Sequence, residues 1–178
     1  MYRLSQSFPY LLARLGMRMG DLLTQVVKRD GLTLQMYRVL AALSEEDRPL
    51  KLGEIAALTS ADLSTLSRLI AEMHRRGIVL RERPENDQRS LSVTLTDQGR
   101  VLAARYMPVA QHYEEVATSV LTSAEAEALK ATMVRLYENL DQLDAELASG
   151  AIDALIASAD GAPGKAAAKG GNRPRRQV

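Results

Sequence analysis

The sequence predicts a mainly α fold with a small β component (α+β), and three observations carry that reading. Apolar residues recur at the helical period of 3.6 over most of the chain. One short region, residues 78–95, switches to strand-like alternation. Capping residues and glycines fall where those periods break.

The elements follow in order. Phe8, Leu11, Leu12, Leu15, Met19, Leu22, Leu23 and Val26 mark a long amphipathic helix that Asp30-Gly31 stops. Thr33 is placed to cap a second helix through Met36, Val39, Leu40 and Leu43, expected to end before Glu45-Glu46-Asp47-Arg48-Pro49. A short helix (Leu52, Ile55, Ala56) leads into Leu58-Thr59-Ser60-Ala61. A further one begins near Asp62, with Leu63, Leu66, Leu69, Ile70 and Met73 on one face. Thr59 and Asp62 have the spacing of a capping box, and Gly77 after Arg75-Arg76 is a C-terminal stop.

Residues 78–83 and 89–95 are short β-rich runs separated by the turn-forming Pro84-Glu85-Asn86-Asp87-Gln88, which predicts a hairpin. Thr96 caps a helix through Val101, Leu102 and Tyr106, with a kink expected at Pro108. Thr122 and Glu125 form another capping box. Leu129, Met133, Leu136, Leu140, Leu143 and Leu147 then step by alternating fours and threes, a heptad seam suited to packing on another helix. Beyond Ser149 the composition turns to Ala, Gly and Pro with Lys165, Lys169, Arg173, Arg175 and Arg176. Residues 149–178 are accordingly expected to be a mostly disordered basic tail.

Composition excludes several functions. The 178 residues are 46% hydrophobic, enough for a core. With no apolar run long enough to span a bilayer and arginines at positions 3, 14 and 18, the expected location is the cytoplasm. Cysteine is absent, and His74 and His112 stand far apart, so neither a metal nor any other cofactor is expected. No phosphate loop or nucleophile elbow supports an enzyme. The net charge of +1 conceals polarity. Residues 1–30 carry five basic and two acidic side chains, whereas residues 111–148 carry two basic and eight acidic ones. One cationic face can thus meet a polyanion while an acidic part points elsewhere.

Three short helices followed by a hairpin are the parts of a winged helix-turn-helix, whose last helix enters the DNA major groove. The helix over residues 60–76 offers Ser60, Asp62, Ser64, Thr65, Ser67 and Arg68, short hydroxyls and a guanidinium able to approach phosphates or base edges. Arg81, Arg83 and Arg89 flank the hairpin tip, where a narrow, negative minor groove attracts arginine. Asp87 is spaced to aim Arg89.

At these residues the chain resembles the MarR family of winged-helix transcriptional regulators. The resemblance is densest in Leu52-Gly53-Glu54-Ile55-Ala56, Leu63-Ser64-Thr65-Leu66-Ser67-Arg68-Leu69-Ile70, Arg76-Gly77-Ile78-Val79, Asn86-Asp87-Gln88-Arg89-Ser90 and Leu95-Thr96-Asp97-Gln98-Gly99. It implies a homodimer with interlocked first and last helices, a wing arginine (Arg89) in the minor groove, and repression of a nearby operon relieved by a small aromatic or phenolic ligand. Ser60 stands where many members have glycine.

The apolar surface of the first and last helices exceeds what one small domain covers, which also points to a dimer. Residues 1–30 and 97–148 are read as the dimerisation region, with Leu11, Leu15, Leu129, Met133, Leu136, Leu140 and Leu143 at the interface. Residues 31–96 are read as the DNA-binding domain. A two-fold dimer calls for an inverted-repeat operator in double-stranded DNA, with half-sites centred about 10 bp apart. The resemblance places an effector pocket between the two regions, and Tyr10, Arg14, Met17, Arg18, Tyr37 and Met73 are candidates to line it. The rival reading is a sequence-independent architectural binder driven by the basic tail.

Overall fold

The structure is a computed structural model that describes residues 3–82 and 91–160, and it divides into a unit up to Ser119 and a second from Val120. In the first unit α1 (Phe8–Val27) has Pro9 in its opening turn, where a missing N–H costs nothing. It ends in a 3₁₀ turn (Lys28–Asp30) closed by Gly31 at φ +68°. The Thr33 hydroxyl accepts from the Met36 amide at 3.2 Å and starts α2 (Leu34–Glu46) as expected.

The second helix runs further than expected. It takes in Glu45 and Glu46 and stops where Asp47 turns left-handed at φ 45°, ahead of Pro49. Arg48, 3.1 Å from Glu46 and 2.9 Å from Glu54, gathers both carboxylates there.

A strand that periodicity cannot reveal, β1 (Leu50–Lys51), precedes α3 (Leu52–Thr59), because two residues are too few to alternate. The Thr59–Asp62 capping box does not form. Thr59 is the buried last residue of α3, and its hydroxyl donates to the Ile55 carbonyl at 2.7 Å. Asp62 alone caps α4 (Leu63–Arg75). Strands β2 (Val79–Glu82) and β3 (Ser92–Leu95) pair antiparallel, and β1 adds to the other edge of β3, with Leu50 opposite Val93 and Val79 opposite Leu95. Helix α5 (Asp97–Thr118) runs unbroken across Pro108.

One hydrophobic core joins these elements. Leu40, Leu50, Ile55, Leu66, Ile70, Met73, Ile78, Val79 and Val93 are fully buried. Val27 from α1 and Leu102, Ala103 and Tyr106 from α5 complete the same cluster, so the end of the first helix and the start of the fifth build the lobe that α2–α4 occupy. The rest of α1 is different. Phe8, Leu11, Leu12 and Leu15 are exposed in the isolated chain.

The second unit holds α6 (Ser123–Asn139), α7 (Asp141–Ala148) and α8 (Ala151–Asp160). Thr122 and Glu125 form the expected capping box. The leucine seam does not lie on one continuous helix. Leu140 stands between α6 and α7, where tighter three-residue hydrogen bonds (Leu140 N–H to Tyr137, Leu143 N–H to Leu140) replace the regular ladder. Within the segment expected to be mostly disordered, residues 151–160 form α8. The basic residues of 161–178 lie outside the described residues.

Candidate nucleic-acid interface

Burial sorts the two faces of α4. Leu66, Ile70 and Met73 are locked into the core, which turns Asp62, Ser64, Thr65, Ser67 and Arg68 outward to solvent. Ser60, also exposed, sits in the turn between α3 and α4 at φ +52°, a left-handed conformation that favours glycine. Arg38 on α2 lines a shallow cleft with Ser60, bringing a cation to this turn that sequence spacing gave no reason to select.

The outward groups have distinct roles. One oxygen of the Asp62 carboxylate accepts from the Thr65 amide at 2.8 Å and from the Ser64 hydroxyl at 2.7 Å. These bonds, with Ser64 the largest influence, hold its carboxyl well below the usual aspartate range. Asp62 therefore fixes the start of the helix, and a carboxylate so engaged orients its neighbours. Arg68 reaches back along its own helix, Nε to the Ser64 carbonyl at 3.4 Å, which leaves the guanidinium's terminal nitrogens at the surface. His74 faces solvent, with its Nδ1 3.0 Å from the Val79 carbonyl.

The hairpin is bolted to the end of α4. Thr96 donates its hydroxyl towards the carbonyls of Gly77 (2.6 Å) and Ile78 (3.0 Å) and accepts from the Gly99 amide at 3.0 Å. A Cβ on Gly99 would lie 2.2 Å from the Ile78 carbonyl oxygen, so the glycine of Leu95-Thr96-Asp97-Gln98-Gly99 is required by close approach of backbone to backbone. Arg81 is exposed on β2. Arg83, Asp87 and Arg89, expected at the tip, lie outside the described residues.

A polar cluster absent from the sequence-based expectations stands at this same C-terminal end of α4. Arg76 donates through Nη1 to the Gly31 carbonyl at 2.9 Å and through Nη2 to the Asp30 carbonyl at 3.0 Å. The Asp30 carboxylate in turn accepts from Arg105 Nη1 and the Tyr106 hydroxyl, each at 2.6 Å. Partners separated by 45 to 76 positions leave no periodic trace.

The expected ligand residues do not converge. Tyr10, Arg14, Met17 and Arg18 lie on the exposed surface of α1, and Tyr37 is half-buried against the core. Met73 is a correction: it is wholly enclosed by core side chains and cannot line a pocket. The cavity along α1 and α5, about 300 Å³, is lined instead by Met19, Leu22, His112, Tyr113, Val116 and Ala117.

Residues 30–90 match the sequence profile of the MarR family. The transcriptional repressor MprA of Escherichia coli (strain K12) is 26% identical over 147 residues, spanning 78% of this chain and 84% of its own. A MarR-family transcriptional regulator from Silicibacter pomeroyi superposes with a TM-score of 0.69 at 30% identity, over 78% of this chain and 92% of that one. The chain belongs to the MarR family of transcriptional regulators. Its fold is accordingly the winged helix-turn-helix expected from the sequence, with α4 in the place of the recognition helix and β2–β3 as the stem of the wing. Another relative of this MarR-family chain is BpsR of Bordetella bronchiseptica, whose DNA binding is regulated by 6-hydroxynicotinic acid. It superposes with a TM-score of 0.65 at 25% identity, over 72% of this chain and 97% of its own.

Proposed function

We propose that this MarR-family chain is a homodimeric, sequence-specific repressor that binds an inverted-repeat operator in double-stranded DNA and leaves it when a small aromatic acid binds. The observation that carries the reading is the division of α4. One face is anchored in the core, and the other presents Ser64, Thr65, Ser67 and Arg68 from a helix whose two ends are fixed by Asp62 and Arg76. Such a helix enters a major groove as a rigid element. Arg89, oriented by Asp87, reaches the adjoining minor groove, and Ser60 with Arg38 meets the backbone.

The dimer reading is supported by apolar side chains left in water on two parts of the chain: Phe8, Leu11, Leu12 and Leu15 on α1, and Leu129, Met133, Leu136, Leu140 and Leu143 along α6–α7. The effector reading draws on BpsR, regulated by an aromatic acid. Arg14 and Arg18, one turn apart on the exposed surface of α1, offer cations for a carboxylate. Among the described residues no helix is long and apolar enough to cross a membrane, which suits a protein that works on DNA in the cytoplasm.

The test is binding to the DNA upstream of its own gene against random duplex at two salt concentrations. Retention of one inverted repeat at the higher salt, with a preference of roughly a thousandfold, is the expected result. Equal, salt-sensitive binding to all duplexes would instead favour an architectural role driven by the cations of residues 161–178.

A further inference from the structure

We propose that Asp30 is a positioning residue for DNA recognition: through its carboxylate and its own carbonyl it sets the angle at which α4 is held against α1 and α5. The inference rests on the reading of α4 as the recognition helix. It goes beyond that reading by naming what fixes this helix relative to the parts proposed to dimerise.

The buried face of α4 is apolar (Leu66, Ile70, Met73), and apolar packing is strong but carries little directional information. Direction comes from the hydrogen bonds at its C-terminal end. There Arg76 spreads two nitrogens onto the successive carbonyls of Asp30 and Gly31, a two-pronged contact that a lysine ammonium cannot copy. Those carbonyls are presented side by side because Gly31 is left-handed. A Cβ there would come within 3.4 Å of the Arg76 guanidinium.

The segment that Arg76 grips is itself held from the far side. Arg105 and Tyr106 on α5 both donate to one oxygen of Asp30. A continuous polar path therefore runs from α5, through the end of α1, to the end of α4. Tyr106 is buried in the same core as Ile70 and Met73, so hydroxyl and ring pin this path to the lobe together. In a dimer held by α1, that path sets where each α4 stands, and so the spacing between two half-sites that can be read at once.

The experiment uses the full chain and three duplexes: the inverted repeat that the wild type selects from a randomised pool, and the same repeat lengthened or shortened by one base pair at its centre. Wild type, Asp30→Asn, Arg76→Lys and Tyr106→Phe are titrated against each and against random duplex, with thermal midpoints measured alongside. The wild type is expected to prefer its own spacing by about tenfold or more, and the three variants to bring that preference close to parity while binding random duplex as before. Variants that melt lower yet keep the wild-type spacing preference overturn the inference and make the cluster purely structural. Should Asp30→Asn or Arg76→Lys fail to fold, Tyr106→Phe, which deletes one hydroxyl from the same cluster, decides the question by itself. A wild type that selects no repeat overturns the DNA-recognition reading itself, a result distinct from retained preference in the variants.

Discussion

Single residues show where this chain departs from ease. Ser60 occupies φ +52° without a glycine's freedom, a conformation that costs most L-residues about 1 kcal/mol or more. Ser60→Gly is therefore expected to stabilise the fold by up to about 1 kcal/mol in a denaturant titration, after allowing for the glycine's greater unfolded-state freedom. Asp30 supplies a pH signature. Hydrogen bonds first from Tyr106 and then from Arg105 hold its carboxyl below the ordinary aspartate value. Its contribution is fully present above that value, near pH 4, and is lost as pH falls through the lower folded value. The gap in melting temperature between wild type and Asp30→Asn should accordingly be widest near neutrality and narrow as the pH falls below about 4. A constant gap across that range would mean that the carboxylate charge is not what holds the cluster.

Elements test the packing at α4 and the wing. Gly99→Ala forces a methyl against the Ile78 carbonyl, where backbone on both sides resists movement. The expected loss is at the upper end of about 1–3 kcal/mol, read by thermal or chemical unfolding. Its consequence reaches function, since the same contact ties the hairpin to the end of α4. Arg68→Ala and Arg89→Ala act differently. Each should weaken operator binding by about 1–3 kcal/mol with little change in the melting temperature, because neither side chain is expected to hold the fold. Unchanged affinity in both would withdraw the assignment of α4 and the wing. These elements were legible in the sequence because their signals are local. Thr33, Thr96 and Thr122 cap helices as their spacing foretells. The Thr59–Asp62 box failed because spacing cannot tell that Thr59 still belongs to the preceding helix, where its buried hydroxyl bonds to Ile55.

At the scale of the whole molecule the question is what covers the apolar surface that the isolated chain leaves in water. Leu136 remains two-fifths exposed in the isolated chain, and its neighbours along the seam are similar. Leu136→Glu should raise the dimer dissociation constant by at least about tenfold in analytical ultracentrifugation, since an unpaired carboxylate in an apolar contact is costly. A dimer unaffected by that change would place the contact elsewhere, with α1 the remaining candidate. The sequence by itself determined the helical periods, the capped starts, the hairpin and the hydroxyl-rich face of α4, because each is written in residues a few positions apart. It also determined the family, through short motifs whose glycine and threonine prove to be dictated by close contact at Ile78. Only the tertiary structure decided that Met73 is core rather than pocket, that α5 helps build the DNA-binding lobe, and that Asp30 joins Arg76 to Arg105 and Tyr106. Those facts depend on residues brought together from distant positions, and the folded chain's geometry, which periodicity does not encode, is what brings them together.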